Sequence, residues 1–585
     1  MVTKKKKIIM LVVAVALVAA GVTTYLMVHK KSGFKDHGKT EQKQLFGTKK
    51  EKDDDLADRY FELEEGGHYL LWVDGDSVYV TVERVDDEEI AGNYYAMEKG
   101  KETVEGRPFM IEAHRKTLNL RLEGRELVFG MKADKLGQLL DGNTHRVTDE
   151  EKNRYKMKME PYREPEFRSV TSDRYRKELY GVKEEKDQTY GRATGYWTSL
   201  TGGESESYAH IVGEGLKNTL TAKELDLKMD VYLPEDGGDS TRTKRPLLLF
   251  LHGGAFYVGD KSDPAISDWC RHFAATGYVA ASINYRMGFL PSKKDIERTG
   301  YMATQDAHAA MRYLVDKAER YQIDTNSIFV AGTSAGAITA LNLAFMKTRP
   351  ESAGGKANKS GGQAAGDKKA KQRRNSDLGG LQGTGNTLNN SFHILAVANM
   401  WGAVNNLNML KNGKSAIISF HGDADQLVPY DQGYPFADIS EGLGRRLFDQ
   451  MYGSKAITER AKALGMKAEL HTFEGEGHAL HLNEDRSRNE KNFGFIRDRI
   501  TTFFYQVMTP APVKIAVDEG DGRHYLVDNA EVEQLWWKVE GGFVTRQKGN
   551  ELWVVWRSDA KKKSIQVSGR YGNGIPFNAT RTPKS

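Results

Sequence analysis

A serine between small residues is the first candidate for chemistry. Residues 332–336 read Gly-Thr-Ser-Ala-Gly, directly after the apolar run 328–331 and before a stretch with helical spacing. The chain must turn sharply from strand to helix here, and only small flanking residues permit that turn without collision. Such a turn presents the Ser334 hydroxyl above the sheet, and the N–H groups that begin the helix face any negative charge developing there. The five residues form a short motif, so their meaning depends on what accompanies them.

Adjacent glycines occur about 80 residues before this serine. Residues 252–256 read His-Gly-Gly-Ala-Phe and follow the apolar run 247–251. Glycines let backbone N–H groups approach a tetrahedral intermediate closely, so Gly253, Gly254 and the N–H of Ala335 together predict an oxyanion hole. We interpret His252 as a residue that organises this loop rather than as a base.

A serine hydroxyl needs a base, and the base needs an orienting carboxylate. Residues 421–429 follow a predicted strand and contain Asp423 and Asp425. Residues 475–478 read Gly-Glu-Gly-His, follow the next predicted strand and end in His478. Active sites of α/β sheets are built on loops at the carboxyl ends of strands, which is where both loops are expected. The sequence thus contains a candidate serine, a candidate aspartate and a candidate histidine, in that order along the chain.

The segments around these loops alternate between strands and helices. Continuous apolar runs at 247–251 and 279–283 predict strands buried on both faces, whereas the spacing of apolar residues over 301–320 predicts a helix. This alternation predicts an α/β fold with a mostly parallel sheet and helices on both faces. At 351–386, nine glycines and a basic stretch predict a disordered insertion, with a mobile lid as the alternative.

Residues 185–508 resemble an α/β-hydrolase of the carboxylesterase/lipase type, close to bacterial esterases with a His-Gly-Gly oxyanion motif. The stretches Asn-Tyr-Arg at 284–286 and Gln-Asp-Ala at 305–307 also resemble that family. The family places its acid at the second aspartate of Gly-Asp-x-Asp, which favours Asp425 over Asp423. The resemblance implies an α/β-hydrolase fold with the following site: Ser334 as nucleophile, His478 as base, Asp425 as acid, and Gly253, Gly254 and Ala335 as oxyanion donors.

We therefore expect a serine carboxylic ester hydrolase that works through an acyl-enzyme and needs no metal or organic cofactor. The other histidines, including His308 and His481, are interpreted as surface or packing residues. One alternative is a serine peptidase of the prolyl-oligopeptidase-like type, although residues 32–184 lack the period of about 40–50 residues that a β-propeller requires. The other alternative is a non-catalytic, membrane-tethered binding protein with a hydrolase-like domain.

The N-terminus predicts a membrane anchor. Four lysines precede an uncharged run at 8–28, which is long enough for a helix to cross the hydrocarbon core of about 30 Å. The short basic tail favours the inside, so residues 1–31 would anchor an exported, periplasmic catalytic domain to the inner membrane of a bacterial envelope. A cleaved signal peptide and a secreted protein are the alternative. The lone Cys270 excludes an intrachain disulfide.

The flanks of the hydrolase-like region predict accessory β domains. The remaining predicted parts are a polar linker at 32–60, a small antiparallel β domain at 61–145, a charged linker at 146–184 and a small β-sandwich at 510–585. The last resembles PKD-like or immunoglobulin-like modules. Basic and acidic residues number 85 and 80, and this balance gives no reason to expect nucleic acid as a partner. Such modules on an envelope anchor would suit a small-molecule or polysaccharide-linked ester, for example acetyl or feruloyl esters.

Overall fold

The computed structural model describes residues 65–73, 76–85, 89–95, 103–114, 117–122, 125–130, 145–148, 154–195, 223–235, 244–289, 292–354, 377–436, 445, 447–483, 485, 487–518, 521–529 and 531–583. These divide into two compact units. Unit 1 contains residues 173–510, and unit 2 contains the residues up to 172 together with those from 511 onward.

The N-terminal part of unit 2 is a closed antiparallel barrel with the strand order β1-β2-β3-β5-β6-β7-β8-β9. The barrel closes because β9 pairs with β1, with Tyr69 opposite Pro161. Its strands and the short β4 are β1 (His68–Val73), β2 (Asp76–Val85), β3 (Glu89–Tyr95), β4 (Thr103–Val104), β5 (Arg107–His114), β6 (Thr117–Leu122), β7 (Arg125–Gly130), β8 (His145–Thr148) and β9 (Arg154–Pro161).

The prediction of a charged linker at 146–184 is wrong. Two strands that close the barrel, β8 and β9, lie largely within it, and the first strand of the main sheet begins at its end. The many charged residues of β9 make its alternating pattern hard to see. Tyr155, Met157 and Met159 alternate with charged residues, as expected for a strand with one polar face.

Unit 1 is built on an eight-stranded sheet with the order β10-β11-β13-β12-β14-β15-β16-β19. The pairs β10/β11 and β11/β13 are antiparallel, and every later pair is parallel. This mainly parallel sheet confirms the predicted α/β class. Its strands, with a small separate pair, are β10 (Gly181–Gly195), β11 (Lys223–Glu235), β12 (Arg245–Leu251), β13 (Val279–Ile283), β14 (Ile323–Thr333), β15 (Ile394–Met400), β16 (Ala416–Gly422), β17 (Gln432–Gly433), β18 (Met451–Tyr452) and β19 (Ala468–Phe473).

Helices cover both faces of this sheet. On β12, Leu249 belongs to the core shared with the helices after β13 and β14, whereas Phe250 stacks on Trp269 of the first helix. Both faces are therefore apolar, which explains why the buried strands read as continuous apolar runs. The helices in the described part of unit 1 are α1 (Pro264–Thr276), α2 (Lys293–Asp316), α3 (Ala318–Tyr321), α4 (Ala335–Phe345), α5 (Ser454–Ala463) and α6 (Glu490–Met508).

The C-terminal part of unit 2 forms two antiparallel sheets, β20-β21-β24-β23 and β22-β25-β26. It joins the barrel part in one unit, since β4 pairs with β24 and the Val170 N–H donates to Ser568 Oγ at 2.8 Å. The two β modules that the sequence predicts therefore belong to one compact unit. The strands are β20 (Ile515–Asp518), β21 (Asp521–Val527), β22 (Val532–Glu540), β23 (Gly542–Lys548), β24 (Glu551–Arg557), β25 (Ser564–Tyr571) and β26 (Pro576–Arg581).

The predicted disordered insertion at 351–386 is wrong for its C-terminal end. Gln305 Nε2 donates to the carbonyls of Leu378 and Gly380, at 2.7 and 2.8 Å. Arg312 binds the carbonyls of Leu381 and Thr384, at 3.1 and 2.8 Å. Polar side chains of α2 thus hold a glycine-rich strap through its backbone, which needs no apolar residue in the strap itself. Residues 355–376 lie outside the described residues.

No helix among the described residues is both long enough and apolar enough to cross a bilayer. The predicted anchor at 1–31 and the polar linker at 32–60 lie outside the described residues.

Candidate active site

Ser334 stands at a strained turn between β14 and α4. Its φ and ψ angles are +52° and −118°, a conformation that side-chain-bearing residues rarely adopt. The turn requires glycines on both sides. A Cβ on Gly332 would lie 2.4 Å from a backbone atom of Gly336, and a Cβ on Gly336 would lie 2.1 Å from the Leu251 carbonyl oxygen. The small residues of the motif are therefore a steric requirement of the fold.

The structure brings Ser334, His478 and Asp425 together. His478 follows β19, and its Nε2 lies 3.0 Å from Ser334 Oγ. Its Nδ1 lies 2.6 Å from Asp425 Oδ2. The carboxylate therefore accepts a hydrogen bond from Nδ1–H, and the lone pair of Nε2 is directed at the serine hydroxyl. A hydroxyl in this arrangement can lose its proton to an imidazole as it attacks an electrophile.

Asp425, and not Asp423, is the aspartate that faces His478. Its Oδ1 accepts the N–H groups of Leu427 and Val428 at 2.8 and 3.0 Å. Asp423 instead accepts the Gly475 N–H at 2.6 Å and lies at the surface. Burial alone would raise the pKa of Asp425. The facing His478 and the hydrogen bonds from His421 and His478 outweigh burial and hold that pKa well below its usual range.

The two predicted glycine donors lie beside the serine. A Cβ on Gly253 would approach Ser334 Cβ to 3.4 Å, so the loop backbone is close to the hydroxyl. Gly254 has φ of +109°, and a Cβ there would lie 2.0 Å from the Val258 carbonyl oxygen. Ala335 is the first residue of α4, where N–H groups have no partner within the helix.

His252 is buried beneath this loop. Its Nδ1 lies 2.7 Å from the Gly253 carbonyl oxygen, and its ring stacks on Tyr285 at 4.4 Å between centroids. The Tyr285 hydroxyl donates to the His252 carbonyl at 2.6 Å. These contacts agree with a residue that organises the loop.

Of the other two histidines considered, His308 is buried and His481 is partly exposed. His308 on α2 is buried, and burial, with Arg312 nearby, lowers its pKa to about 4. His481 stacks on Trp401 at 5.2 Å and lines a cavity beside His478. Burial, with His478 and Arg488 nearby, lowers the pKa of His481 to about 3. Both imidazoles are thus neutral at ordinary pH.

Sequence reasoning missed two interactions that hold the site. Arg286, after β13, forms a buried ion pair with Asp306 on α2, with Nη2 and Oδ1 2.7 Å apart. Both residues occur in motifs that resemble the hydrolase family. Those motifs indicate the family but not that the two side chains pair with each other. The second is His421, which contacts Asp425 Oδ2 at 3.1 Å and opens the very loop that contains the acid.

Two cavities meet at Ser334 and His478. The first, of about 150 Å³, is mainly apolar and is lined by Phe256, Ile338, Met346, Phe436, Phe448 and Met451, among others. The second, of about 190 Å³, extends along the glycine loop to Trp269 and His481. The Ser334 hydroxyl thus has open space on two sides.

Residues 229–439 match the family model described as BD-FAE. The matched range includes Gly253, Ser334 and Asp425 and ends before His478. Together with the mainly parallel sheet, the match supports the resemblance to an α/β-hydrolase-type esterase domain that the motifs indicated.

Named relatives match shorter segments of the chain. It is 29% identical over 102 residues to gut esterase 1 of Caenorhabditis elegans, covering 17% of this chain and 18% of that protein. It is 27% identical over 124 residues to para-nitrobenzyl esterase of Bacillus subtilis, covering 20% and 24%. The chain thus spans about a fifth of the length of these relatives. Among solved structures, Thermogutta terrifontis esterase 2 phosphorylated by paraoxon is 17% identical, with 56% of this chain and 97% of that chain covered and a TM-score of 0.32.

Proposed function

We propose that this chain is a serine carboxylic ester hydrolase in which Ser334 is the nucleophile, His478 the general base and Asp425 the acid. The observation that carries the proposal is the continuous hydrogen-bonded series from Ser334 Oγ through His478 to Asp425. The names of the matched relatives, gut esterase 1 and para-nitrobenzyl esterase, favour an ester as the substrate.

The proposed reaction has two halves. As Ser334 Oγ attacks the ester carbonyl, its proton passes to His478 Nε2, and Asp425 stabilises the imidazolium that forms. The C–O bond to the alcohol then breaks, and the imidazolium gives its proton to the departing oxygen. In the second half, water gives a proton to His478, attacks the acyl-enzyme and releases the acid together with free Ser334.

The N–H groups of Gly253, Gly254 and Ala335 are the proposed donors to the oxyanion. Donors of this kind are held in place before the reaction, so they stabilise charge that develops only in the transition state. Loss of one such donor typically costs about 3–4 kcal/mol of transition-state stabilisation. The close approach of Gly253 to Ser334 and the place of Ala335 at the start of α4 support this role, because both put backbone amides near Ser334.

The apolar cavity suggests where the acyl group binds. It reaches Ser334 and His478 and is walled by aliphatic and aromatic side chains, including Ile338 and Phe256. An acyl chain or ring placed there would remove apolar surface from water, which favours binding by about 25 cal/mol per Å². The cavity along the glycine loop would then receive the alcohol, a small molecule or a polysaccharide-linked group.

We propose further that residues 1–31 anchor the protein in the inner membrane of a bacterial envelope, with the hydrolase exported. The uncharged run at 8–28 and the lysines before it support this placement.

Labelling tests the proposed function. A fluorophosphonate probe should modify the wild-type protein once, at Ser334, and should leave Ser334→Ala unmodified. A prolyl-peptide amide offered in parallel distinguishes the peptidase alternative. An unlabelled wild-type protein would support the non-catalytic alternative and contradict the proposal.

A further inference from the structure

The Asp425 carboxylate contacts two histidines through the same oxygen. His478 Nδ1 lies 2.6 Å and His421 Nε2 lies 3.1 Å from Asp425 Oδ2. His478 has a role in the proposed mechanism, whereas His421 has none so far. Its side chain is fully buried, and its backbone lies near the end of β16, where it pairs with Thr472 of β19. A buried imidazole aimed at the acid of a proposed catalytic site calls for a physical account.

A series of hydrogen bonds assigns the proton on His421. The Gly402 N–H donates to Asn399 Oδ1 at 3.1 Å, which orients the Asn399 amide with its Nδ2 toward Ser454. Asn399 Nδ2 donates to Ser454 Oγ at 3.0 Å. Ser454 can then give its own proton to His421 Nδ1, 2.7 Å away. With Nδ1 as acceptor, the ring carries its proton on Nε2, where it faces Asp425.

The same ring also holds the loop that carries the acid. His421 Nε2 lies 3.2 Å from the Val428 carbonyl oxygen, and the Val428 N–H donates to Asp425 Oδ1 at 3.0 Å. Asp425 and His421 therefore bind the same short loop from two sides. Since Asn399, Ser454 and His421 are fully buried, water does not compete for these hydrogen bonds.

We infer that His421 is a positioning residue for the proposed reaction: as a neutral Nε2–H donor, it orients Asp425 toward His478 and moderates the negative charge on the shared oxygen. This inference rests on the proposed function of Ser334, His478 and Asp425. In this arrangement, Asp425 Oδ2 accepts hydrogen bonds from two imidazoles at once.

The direction of the effect follows from that division. Without the His421 donor, Oδ2 would interact more strongly with protonated His478, so His478 would lose its proton only at higher pH. The acid limb of the kcat/KM profile should therefore move to higher pH. The other titratable groups facing these rings are Tyr430, whose ring packs edge-on against His421, and His481, which is near His478 and is neutral.

Two variants separate a donor from a packing residue. His421→Phe keeps a ring and removes both nitrogens, whereas His421→Gln keeps an N–H near the position of Nε2. We expect His421→Phe to move the acid limb up by about 0.5–1 pH unit and to lower kcat about 10-fold, since a charge-assisted hydrogen bond is lost and the acid is less well placed. His421→Gln should recover most of the limb position. Identical acid limbs in wild type and His421→Phe would overturn the inference.

A second readout needs neither turnover nor a folded His421 variant. Nitrogen NMR of the full chain labelled with 15N-histidine reports which ring nitrogen carries the proton, and Ser454→Ala assigns the signal because it perturbs His421 directly. We expect neutral His421 with the proton on Nε2. A proton on Nδ1, or on both nitrogens, overturns the inference. If wild type shows no Ser334-dependent turnover, the proposed function fails, and the NMR result alone decides the state of His421.

Discussion

His478 Nε2 lies 3.0 Å from Ser334 Oγ, although the two residues are 144 positions apart in the chain. The parallel sheet explains this proximity. Ser334 follows β14 and His478 follows β19, and parallel strands place their carboxyl ends along one edge. Asp425, after β16, joins them from the same edge. The fold thus gathers a serine hydroxyl, an imidazole and a carboxylate from three loops that are distant in sequence.

Substitution of the acid distinguishes the two aspartates of the 421–429 loop. Asp425→Asn should lower kcat by about 10⁴-fold. Since Oδ1 accepts two backbone N–H groups, the amide would present its NH₂ group to His478 Nδ1 and stabilise the wrong imidazole tautomer. Asp423→Asn is the matched control, since Asp423 binds a backbone N–H at the surface. It should retain activity within about 2–3-fold. Steady-state ester hydrolysis measures both, and a larger loss in Asp423→Asn would contradict the assignment.

Close packing at the turn predicts that Gly336→Ala is harmful, although alanine normally favours a helix. The added methyl group would lie 2.1 Å from the Leu251 carbonyl oxygen, so β12 and α4 must separate. We expect a loss of about 1–3 kcal/mol in the free energy of unfolding, together with reduced activity. Gly494→Ala on α6 is the control, because its nearest neighbouring atom is 4.0 Å away. That change should stabilise the protein by about 0.5–1 kcal/mol. Urea unfolding checks both, and a Gly336→Ala protein as stable as wild type would refute the steric argument.

Burial of His308 predicts a specific loss of stability in mild acid. Its pKa is lowered to about 4 in the folded protein, below the ordinary value of about 6.5. The contribution of neutral His308 to the free energy of unfolding is therefore fully present above pH 6.5. It falls as the pH drops from 6.5 toward 4, because the unfolded chain binds a proton that the folded chain does not. Between pH 7 and pH 5, the free energy of unfolding should fall by about 1–2 kcal/mol more in wild type than in His308→Leu. Urea titrations at the two pH values test this, with the exposed His393→Gln as control. Parallel losses in wild type and His308→Leu would count against it.

The apolar cavity predicts how acyl length is limited. Ile338 lines this cavity one helical turn after Ser334. Ile338→Trp should fill it and lower kcat/KM for octanoyl esters by about 10-fold or more, while acetyl esters change little. Ile338→Leu preserves the volume and should keep the wild-type profile. A series of p-nitrophenyl esters provides the measurement. If acetyl and octanoyl esters were affected equally, the acyl group would have to bind elsewhere.

Much of the site was readable because its residues obey steric and chemical rules that act locally. The glycines around Ser334 are required by a turn that places their Cα atoms against backbone. The continuous apolar run at 247–251 matches β12, which is buried on both faces. The structure also places Asp425 beside His478, the arrangement that the family pattern implied.

Other features depend on partners distant in sequence. The charged composition of β9 favours a linker, because its charged residues conceal the alternation that fits a barrel strand. The strap at 377–386 is held by side chains of α2, and nothing in its own composition indicates that. His421 begins the 421–429 segment that contains Asp425. Its proposed role could not be predicted there, because it depends on Ser454 and Asn399, which lie on other elements.

Ester turnover by the full chain tests the central claim most directly. We would compare wild type with Ser334→Ala on p-nitrophenyl acetate, butyrate and octanoate, with a prolyl-peptide amide alongside. The account predicts ester hydrolysis that falls by about 10⁴–10⁶-fold in Ser334→Ala, while circular dichroism shows the same fold. Hydrolysis that persists in Ser334→Ala, or amide cleavage that exceeds ester cleavage in wild type, would contradict it.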